Sequence, residues 1–269
     1  MTMKNIIYLV AFGTLFYLAG CKQGQKSETA TDTTSMSMAQ PEQMNNTLTD
    51  SEKADGWKLL FDGETHDGWN KYNVQDSFPS GWEVSDGTLH CIGSGNGEAG
   101  GPNGGDIVYG QKFKDFDLKL DWKISKGGNS GVFILARQEK KYANIWETAP
   151  EMQILDNVNH PDARLGKDGN RMAGSLYDLI PAKPQNAKPY GEWNSAEILC
   201  YQGTVVFYQN GEKVLEFHLW TPQWNELVAN SKFPEYNKNW ADVAHEGYIG
   251  LQDHGADVWF RNIKIKVMD

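Results

Sequence analysis

Cysteine is scarce in this sequence: three residues in 269, Cys21, Cys91 and Cys200, with no pair at ligand spacing, which argues against a cysteine metal site. Positive charge is also short. Lys and Arg number 25 against 35 Asp and Glu, a net charge of −10, and no basic stripe offsets the balance, so nucleic acid is a poor candidate partner. No long apolar run occurs; the longest, Ile6 to Leu18, falls short of the ~20 residues needed to span a membrane. "GSGNGEAGGPNGG" (93–105) lacks the Lys-Ser/Thr of a phosphate-binding loop, and no helical pattern follows it, so it reads as a glycine-rich connection between strands. No fixed-period repeat is visible.

What is present divides the chain in three. Residues 1–20, "MTMKNIIYLVAFGTLFYLAG", have a basic start, an apolar centre and a small-residue end before Cys21, and resemble a bacterial lipoprotein signal peptide in which Cys21 becomes the lipidated first residue. Residues 21–54 are rich in Ser, Thr, Gln and Asn, have no aromatic residue and show no period, which reads as a flexible tether. The folded part is expected over residues 55–269, a length that suits one all-β domain of ~200–250 residues. This places the protein in a bacterial cell envelope, on the periplasmic side or the cell surface, held to the membrane through Cys21. Cys91 and Cys200 each sit in a strand-like run and can either pair or stay as two buried thiols.

The folded part reads as short β-like runs broken by Gly, Asn and Asp: "WKLLF" (57–61), "WEVSDGTLHCI" (82–92), "DIVYGQKF" (106–113) and "NSGVFILAR" (129–137). "DLKLDWKIS" (117–125) alternates strictly, with Leu118, Leu120, Trp122 and Ile124 on one side, the signature of a strand with one buried face. In "AEILCYQGTVVFYQNGEKVLEFHL" (196–219), Gln202-Gly203 and Asn210-Gly211 mark hairpin turns, because these residues tolerate positive φ. Only "PQWNELVANSKF" (222–233) reads as a short helix. The spacing predicts an all-β, jelly-roll β-sandwich. The ten tryptophans serve either a core or sugar stacking, and composition does not separate the two.

The chemistry concentrates in "EMQILDNVNHPDA" (151–163). Strand alternation sends Met152 and Ile154 into the core and Glu151 and Gln153 to the opposite, concave face; Asp156 joins them only through a bulge. The E-x-Q-x-x-D pattern is similar to the E-x-D-x-x-E strand of laminarinase-like retaining glycosidases, but Gln153 and Asp156 replace the two later acids. Those enzymes need two carboxylates ~5–5.5 Å apart, which this pattern weakens. A closer resemblance runs from Trp57 to Val267 through "WKLLFDGETHDGW", "GGDIV", "GNSGVFILAR", "EMQILDNVNHPDA", "AGSLYDLIPA", "GEWN" and "GYIGLQDHG". In these motifs, in this order, the chain resembles the 3-keto-disaccharide hydrolase family, long catalogued as a domain of unknown function.

That resemblance implies a concanavalin A-like sandwich acting on a small carbohydrate already oxidised to a ketone at C3. The ketone acidifies the C2 proton, so a base can expel the C1 substituent by elimination, and water can add afterwards. Such a site needs a base, a stabiliser for the enolate oxygen and a donor to the leaving group. On this reading Glu151 is the first candidate base and His160 the second, an imidazole that titrates near neutral pH. Asp156 either fixes the His160 tautomer or ligates a cation. Tyr177 is the candidate donor to the leaving oxygen, with Asp178 beside it. Asn129, Arg137, Gln153, Asp178, Gln252 and His254 are candidate sugar contacts; Arg137 is equally suited to a surface ion pair. Trp193 can stack on a sugar ring with Asn194 alongside. In "LQDHG", Gln252 and His254 face one way and Asp253 the other. No motif demands a cofactor. A divalent cation stays open, with Asp156, Asp253 and His254 as its candidate ligands. Two rival readings are a non-catalytic sugar-binding lipoprotein of the same fold and an ordinary glycoside hydrolase using Glu151 and Asp156.

Overall fold

The computed structural model of the chain describes residues 44–96 and 103–268; the signal-peptide and Cys21 readings lie outside the described residues. In chain order the strands are β1 (Trp57–Leu59), β2 (Trp69–Lys71), β3 (Trp82–Ser85), β4 (Thr88–Cys91), β5 (Ile107–Phe113), β6 (Phe116–Ile124), β7 (Asn129–Ala136) and β8 (Glu151–Leu155). After a long connection come β9 (Asn194–Tyr201), β10 (Thr204–Gln209), β11 (Glu212–His218), β12 (Gly247–Leu251) and β13 (Val258–Val267). Three short helices accompany them: α1 (Asp50–Ala54), α2 (Pro222–Ala229) and α3 (Phe233–Tyr236). An eight-stranded sheet runs β11-β10-β9-β6-β13-β4-β3, with β1 also paired to β13, and a five-stranded sheet runs β2-β5-β12-β7-β8. Every strand pair is antiparallel, and the two sheets face each other as a jelly-roll sandwich.

The alternation in β6 does what its period requires. Leu118, Leu120, Trp122 and Ile124 are buried between the sheets, each burial worth roughly 1.5–3 kcal/mol, while Lys119, Asp121 and Lys123 look outward. From the other sheet Val132, Ile134, Met152, Ile154, Ile249 and Leu251 complete the same core. Trp57, Trp69, Trp82, Trp122, Trp224 and Trp240 are buried, so most tryptophan here is structural. Asn210-Gly211 and Gln202-Gly203 both adopt positive φ and close the β10–β11 and β9–β10 hairpins. The expected run 82–92 is in fact two strands: Asp86 and Gly87 take φ 49° and 70° and fold it into the β3–β4 hairpin.

Two expectations need correction. The fold does not begin at Asp55. Thr49 caps α1 in a reciprocal box with Glu52, and Asn46 is buried, exchanging backbone-to-side-chain hydrogen bonds with Asn262 at 2.6 and 2.8 Å where β13 bulges. Residues 44–54 therefore belong to the fold and not to the tether. The expected helix over 222–233 breaks in two. Ser231 Oγ donates to Val228 O at 2.6 Å and accepts from Phe233 N, which ends the first helix and opens the second. Cys91 and Cys200 are both free and buried; burial raises the Cys200 thiol to about 12.

Asp117, on the outer face of β6, has one carboxylate oxygen buried without a partner. Burial, followed by the neighbouring Glu197 charge, raises its pKa from 3.8 to about 6, although Lys119 opposes the shift. A carboxyl pKa raised on folding contributes stability that is complete below the unfolded value and is lost as pH climbs through about 6. Asp117→Asn is thus expected to raise the melting temperature at pH 7.5 by roughly 2–6 °C, and to bring almost no gain near pH 4. Thermal unfolding at the two pH values measures it.

Candidate active site

Strand β8 is buried on both faces. Met152 and Ile154 enter the inter-sheet core, and the pleat turns Glu151 and Gln153 to the outer face of the five-stranded sheet. There they join Asn129 from the start of β7 and Gln252 and His254 just beyond β12 as the floor of a cleft. Trp146, Tyr177, Lys232, Phe233 and Tyr236 form its walls. The cleft measures about 510 Å³ including its mouth, within the ~300–1,000 Å³ usual for small-molecule sites. Two floor acceptors, Asn129 Oδ1 and Gln153 Oε1, are buried with no hydrogen-bond partner, an arrangement that suits donation from ligand hydroxyls.

Gly131 makes room for the carboxylate. It pairs with Gln153 across β7 and β8, and a Cβ built on it would stand 2.1 Å from Glu151 Oε1 and 2.7 Å from Glu151 Cδ. The Glu151 side chain therefore lies directly over the glycine of the neighbouring strand. The other edge of β8 is covered by the segment around 174–177: Gly174 N donates to Gln153 O, Gln153 N to Ser175 O and Tyr177 N to Glu151 O, at 2.8 to 3.0 Å. These backbone bonds fix Tyr177 next to Glu151.

Behind Tyr177 stands a charged network that sequence reasoning missed. Tyr177 Oη donates to Asp162 Oδ2 at 3.0 Å, and Lys232 Nζ donates to Tyr177 Oη at 3.1 Å. Arg171 bonds Asp162 Oδ1 at 2.9 Å through Nη1 and Asp178 Oδ1 through Nε. Lys232 Nζ lies 3.8 Å from Asp178 Oδ2 and 4.3 Å from the Tyr177 ring centroid. Burial lowers the Lys232 pKa; the Arg171 charge adds to the effect, and Asp178, Asp162 and Glu151 oppose it. Burial also drives the Tyr177 hydroxyl upward, reinforced by Asp162 and Glu151. Lys232 occupies the junction between α2 and α3, held by stacking of Phe233 on Trp240 at 4.1 Å and of Trp240 on Trp224 at 5.8 Å. Its only sequence signal was the Ser231-Lys232 interruption before Phe233-Pro234.

The remaining expected residues distribute unevenly. Asp178 stands one layer behind the cleft as the Arg171 and Lys232 partner. His160 flanks it, its ring perpendicular to His254 at 6.2 Å between centroids. His160 Nδ1 accepts from Asp162 N at 3.2 Å, which leaves the proton of the neutral ring on Nε2 and suits a donor better than a base. Burial and then the His254 charge lower its pKa, against Asp162 and Asp156. Asp156 does not reach the cleft. Its oxygens accept from Gly127 N, Val158 N, Asn159 N and Asn159 Nδ2, so it organises the loop and contacts the His160 backbone alone. Arg137 lies at the far end of β7, beyond the positive-φ residue Leu135, and pairs with Asp242 at 3.3 Å. Trp193 immediately precedes β9 of the other sheet, with Arg261 at 4.0 Å and Lys123 at 5.1 Å from its ring centroid. Asn194 accepts from Lys188 N and Asn210 Nδ2, which is loop support. Arg137, Trp193 and Asn194 therefore leave the set of cleft residues.

The cation ligand set also dissolves. Asp253 faces away from His254, as its alternation required, and accepts from Gly105 N and Gly255 N at 2.9 and 3.0 Å. Among the described residues no three His, Cys, Asp or Glu side chains converge as metal ligands.

A family profile described as a 3-keto-alpha-glucoside-1,2-lyase-like domain matches residues 56–266. The chain belongs to this family. A Bacteroides thetaiotaomicron protein named 3-keto-disaccharide hydrolase is 46% identical to it over 291 residues, spanning 99% of this chain and 100% of that protein. A solved structure of a candidate glycosyl hydrolase from Parabacteroides distasonis superposes with a TM-score of 0.73 at 31% identity, covering 84% of this chain and all of that one. A second from the same strain gives 0.59 at 28% identity over 79% and 99%. In the lyase-like domain described above, the cleft occupies the outer face of the smaller sheet.

Gly131→Ala is expected to displace the Glu151 carboxylate while leaving the strands paired. With Glu151 as the expected base, turnover should fall by about 10²-fold, the scale of loss when a reacting group is moved by an ångström. Comparing kcat/KM with the thermal unfolding midpoint separates this displacement from loss of fold.

Proposed function

We propose that the protein is a carbohydrate-acting hydrolase that cleaves glycosides carrying a ketone at C3, by removal of the C2 proton, elimination of the C1 substituent and addition of water. The observation that carries this reading is the carboxylate inventory. Glu151 is the sole carboxylate among the described residues that line the cleft, and the same-face neighbour at 153 is an amide. A retaining glycosidase needs a second carboxyl group ~5–5.5 Å away as nucleophile or acid. Asp156 is tied into its own loop, and Asp162 lies behind Tyr177 with both oxygens accepting hydrogen bonds. One base among amide and cationic donors is what proton abstraction beside a ketone requires. The family match and the name of the Bacteroides thetaiotaomicron relative support the same substrate class.

In this mechanism Glu151 takes the C2 proton. Asn129 and Gln153 present amide oxygens to the sugar hydroxyls, and Gln252 and His254 complete the floor on the side facing His160. Trp146 and Tyr236, edge to face at 4.9 Å, supply an apolar wall against which a ring can lie. We further propose that residues 1–20 are removed and that Cys21 carries the lipid that retains the enzyme at the bacterial envelope. Metabolic labelling of wild type and Cys21→Ala with a fatty-acid analogue tests the anchor.

The activity test pairs one glucoside with its 3-keto derivative and follows release of the aglycone. Wild type should act on the keto sugar alone, and Glu151→Gln should lose about 10²–10⁴-fold of that rate. In deuterated water, wild type should also exchange the C2 proton of the keto substrate. Equal cleavage of the unoxidised glucoside would falsify the proposal.

A further inference from the structure

Tyr177, the expected donor to the leaving oxygen, already has its proton engaged. A phenol carries one O–H, and here it is given to Asp162 Oδ2, while the oxygen accepts from Lys232. Asp162 is in turn held by Arg171 Nη1, so the acceptor that keeps the phenolic proton is itself fixed. Lys232 differs. Its ammonium has three N–H groups, of which Tyr177 takes one; Asp178 at 3.8 Å is a charged neighbour beyond hydrogen-bond reach. Lys232 lines the cleft alongside Glu151, and it is held there by the aromatic stack and by the Tyr177 ring beneath its Nζ.

We propose that Lys232 is a catalytic residue, the proton donor and acceptor that works opposite Glu151. The assignment rests on the C3-ketone reading above. In elimination, the Glu151 carboxylate takes the C2 proton, the C–H electron pair becomes the C1=C2 double bond, and the C1–O bond breaks. The departing oxygen receives a proton from Lys232, so the aglycone leaves as an alcohol. The enzyme is then left with a Glu151 carboxylic acid and a neutral Lys232 amine. Hydration reverses both transfers. Lys232 takes a proton from water as the water oxygen bonds to C1, electrons move to the C3 oxygen, and Glu151 returns its proton to C2. One water is consumed, C1–O–aglycone becomes C1–OH, and both groups regain their starting charges with no oxidant or reductant.

The burial that disfavours charge on Lys232 makes it a better acid and makes the neutral amine accessible between the two half-reactions. Arg171 stays charged between Asp162 and Asp178 throughout, so the network keeps one fixed cation and one that titrates.

The test exploits leaving groups. 4-Nitrophenolate departs without protonation, whereas the oxygen of a methyl glycoside does not. Lys232→Met and Lys232→Arg are compared with wild type on 4-nitrophenyl and methyl 3-keto-glucosides. Arg keeps the charge facing Asp178 and Tyr177 but does not exchange protons at neutral pH. Both variants are expected to lose about 10²–10⁴-fold in kcat/KM on the methyl substrate and under about 10-fold on the nitrophenyl one. If Lys232→Met does not fold, Lys232→Arg carries the comparison, with its melting temperature as the control. Equal losses on both substrates, or no loss on the methyl glycoside, overturn the lysine assignment and leave the C3-ketone reading intact. Failure of wild type to cleave either keto-glycoside overturns that reading and the lysine assignment with it.

Discussion

The pleat of β8 is the constraint on which the site depends. A five-residue strand buried on both faces has no solvent-facing side to absorb an error, so each residue must match the environment its parity assigns. Met152 and Ile154 anchor the register in the core, which fixes where Glu151 and Gln153 emerge. A shift of one residue would put the carboxylate between the sheets and a methionine in the cleft. The backbone on both edges of β8 is hydrogen-bonded, to β7 on one side and to the segment carrying Tyr177 on the other. The carboxylate position is therefore set by the whole sandwich, and Gly131 has only to stay out of its way.

The charged network behind Tyr177 is harder to explain by stability. Two cations and two carboxylates held together in a mostly buried setting lose hydration that their attraction only partly restores, and apolar replacements of similar volume often fold as well or better. What the network does achieve is orientation. Asp162 receives Arg171 on one oxygen and Tyr177 on the other, which leaves the phenol one rotamer and one hydrogen-bond direction. Lys232 is then set between a fixed phenolic oxygen and a fixed carboxylate. A flexible four-carbon side chain gains a defined end point, and the desolvation that accompanies it acts on the one group whose charge has a chemical use.

Legibility in the sequence followed the range of the interactions. Strand alternation is a local property, so β6 and the two-faced character of β8 could be read directly, as could the split of Gln252 and His254 from Asp253. The Asp86-Gly87 hairpin carried the same turn signal as Asn210-Gly211, but strand-like residues on both sides masked it. Arg137 has the parity of Asn129 along β7, yet the positive φ at Leu135 breaks that parity and the length of the strand carries the residue to the opposite end of the sheet. Lys232 had no local signature. It reaches Tyr177 across 55 positions of chain, and only the packing of Trp224, Phe233 and Trp240 brings it there. Asp156 shows the converse: a carboxylate immediately after the end of β8, drawn instead to the nearest unpaired backbone N–H groups.

The two sheets of the sandwich also separate the first described residues from the cleft. Residues 44–54 are tied to β13, through Asn46 to Asn262 and Glu52 to Lys264, on the eight-stranded sheet. The cleft opens on the outer face of the five-stranded sheet. Residues 44–54 thus pack on the sheet that carries none of the described cleft residues, and the core side chains of both sheets stand between them and Glu151. The buried Asn46 pairing has a structural use of its own. Loss of Asn46 would strand the backbone N–H of Asn262 at the β13 bulge, so residues 44–54 help to close the irregularity in that strand.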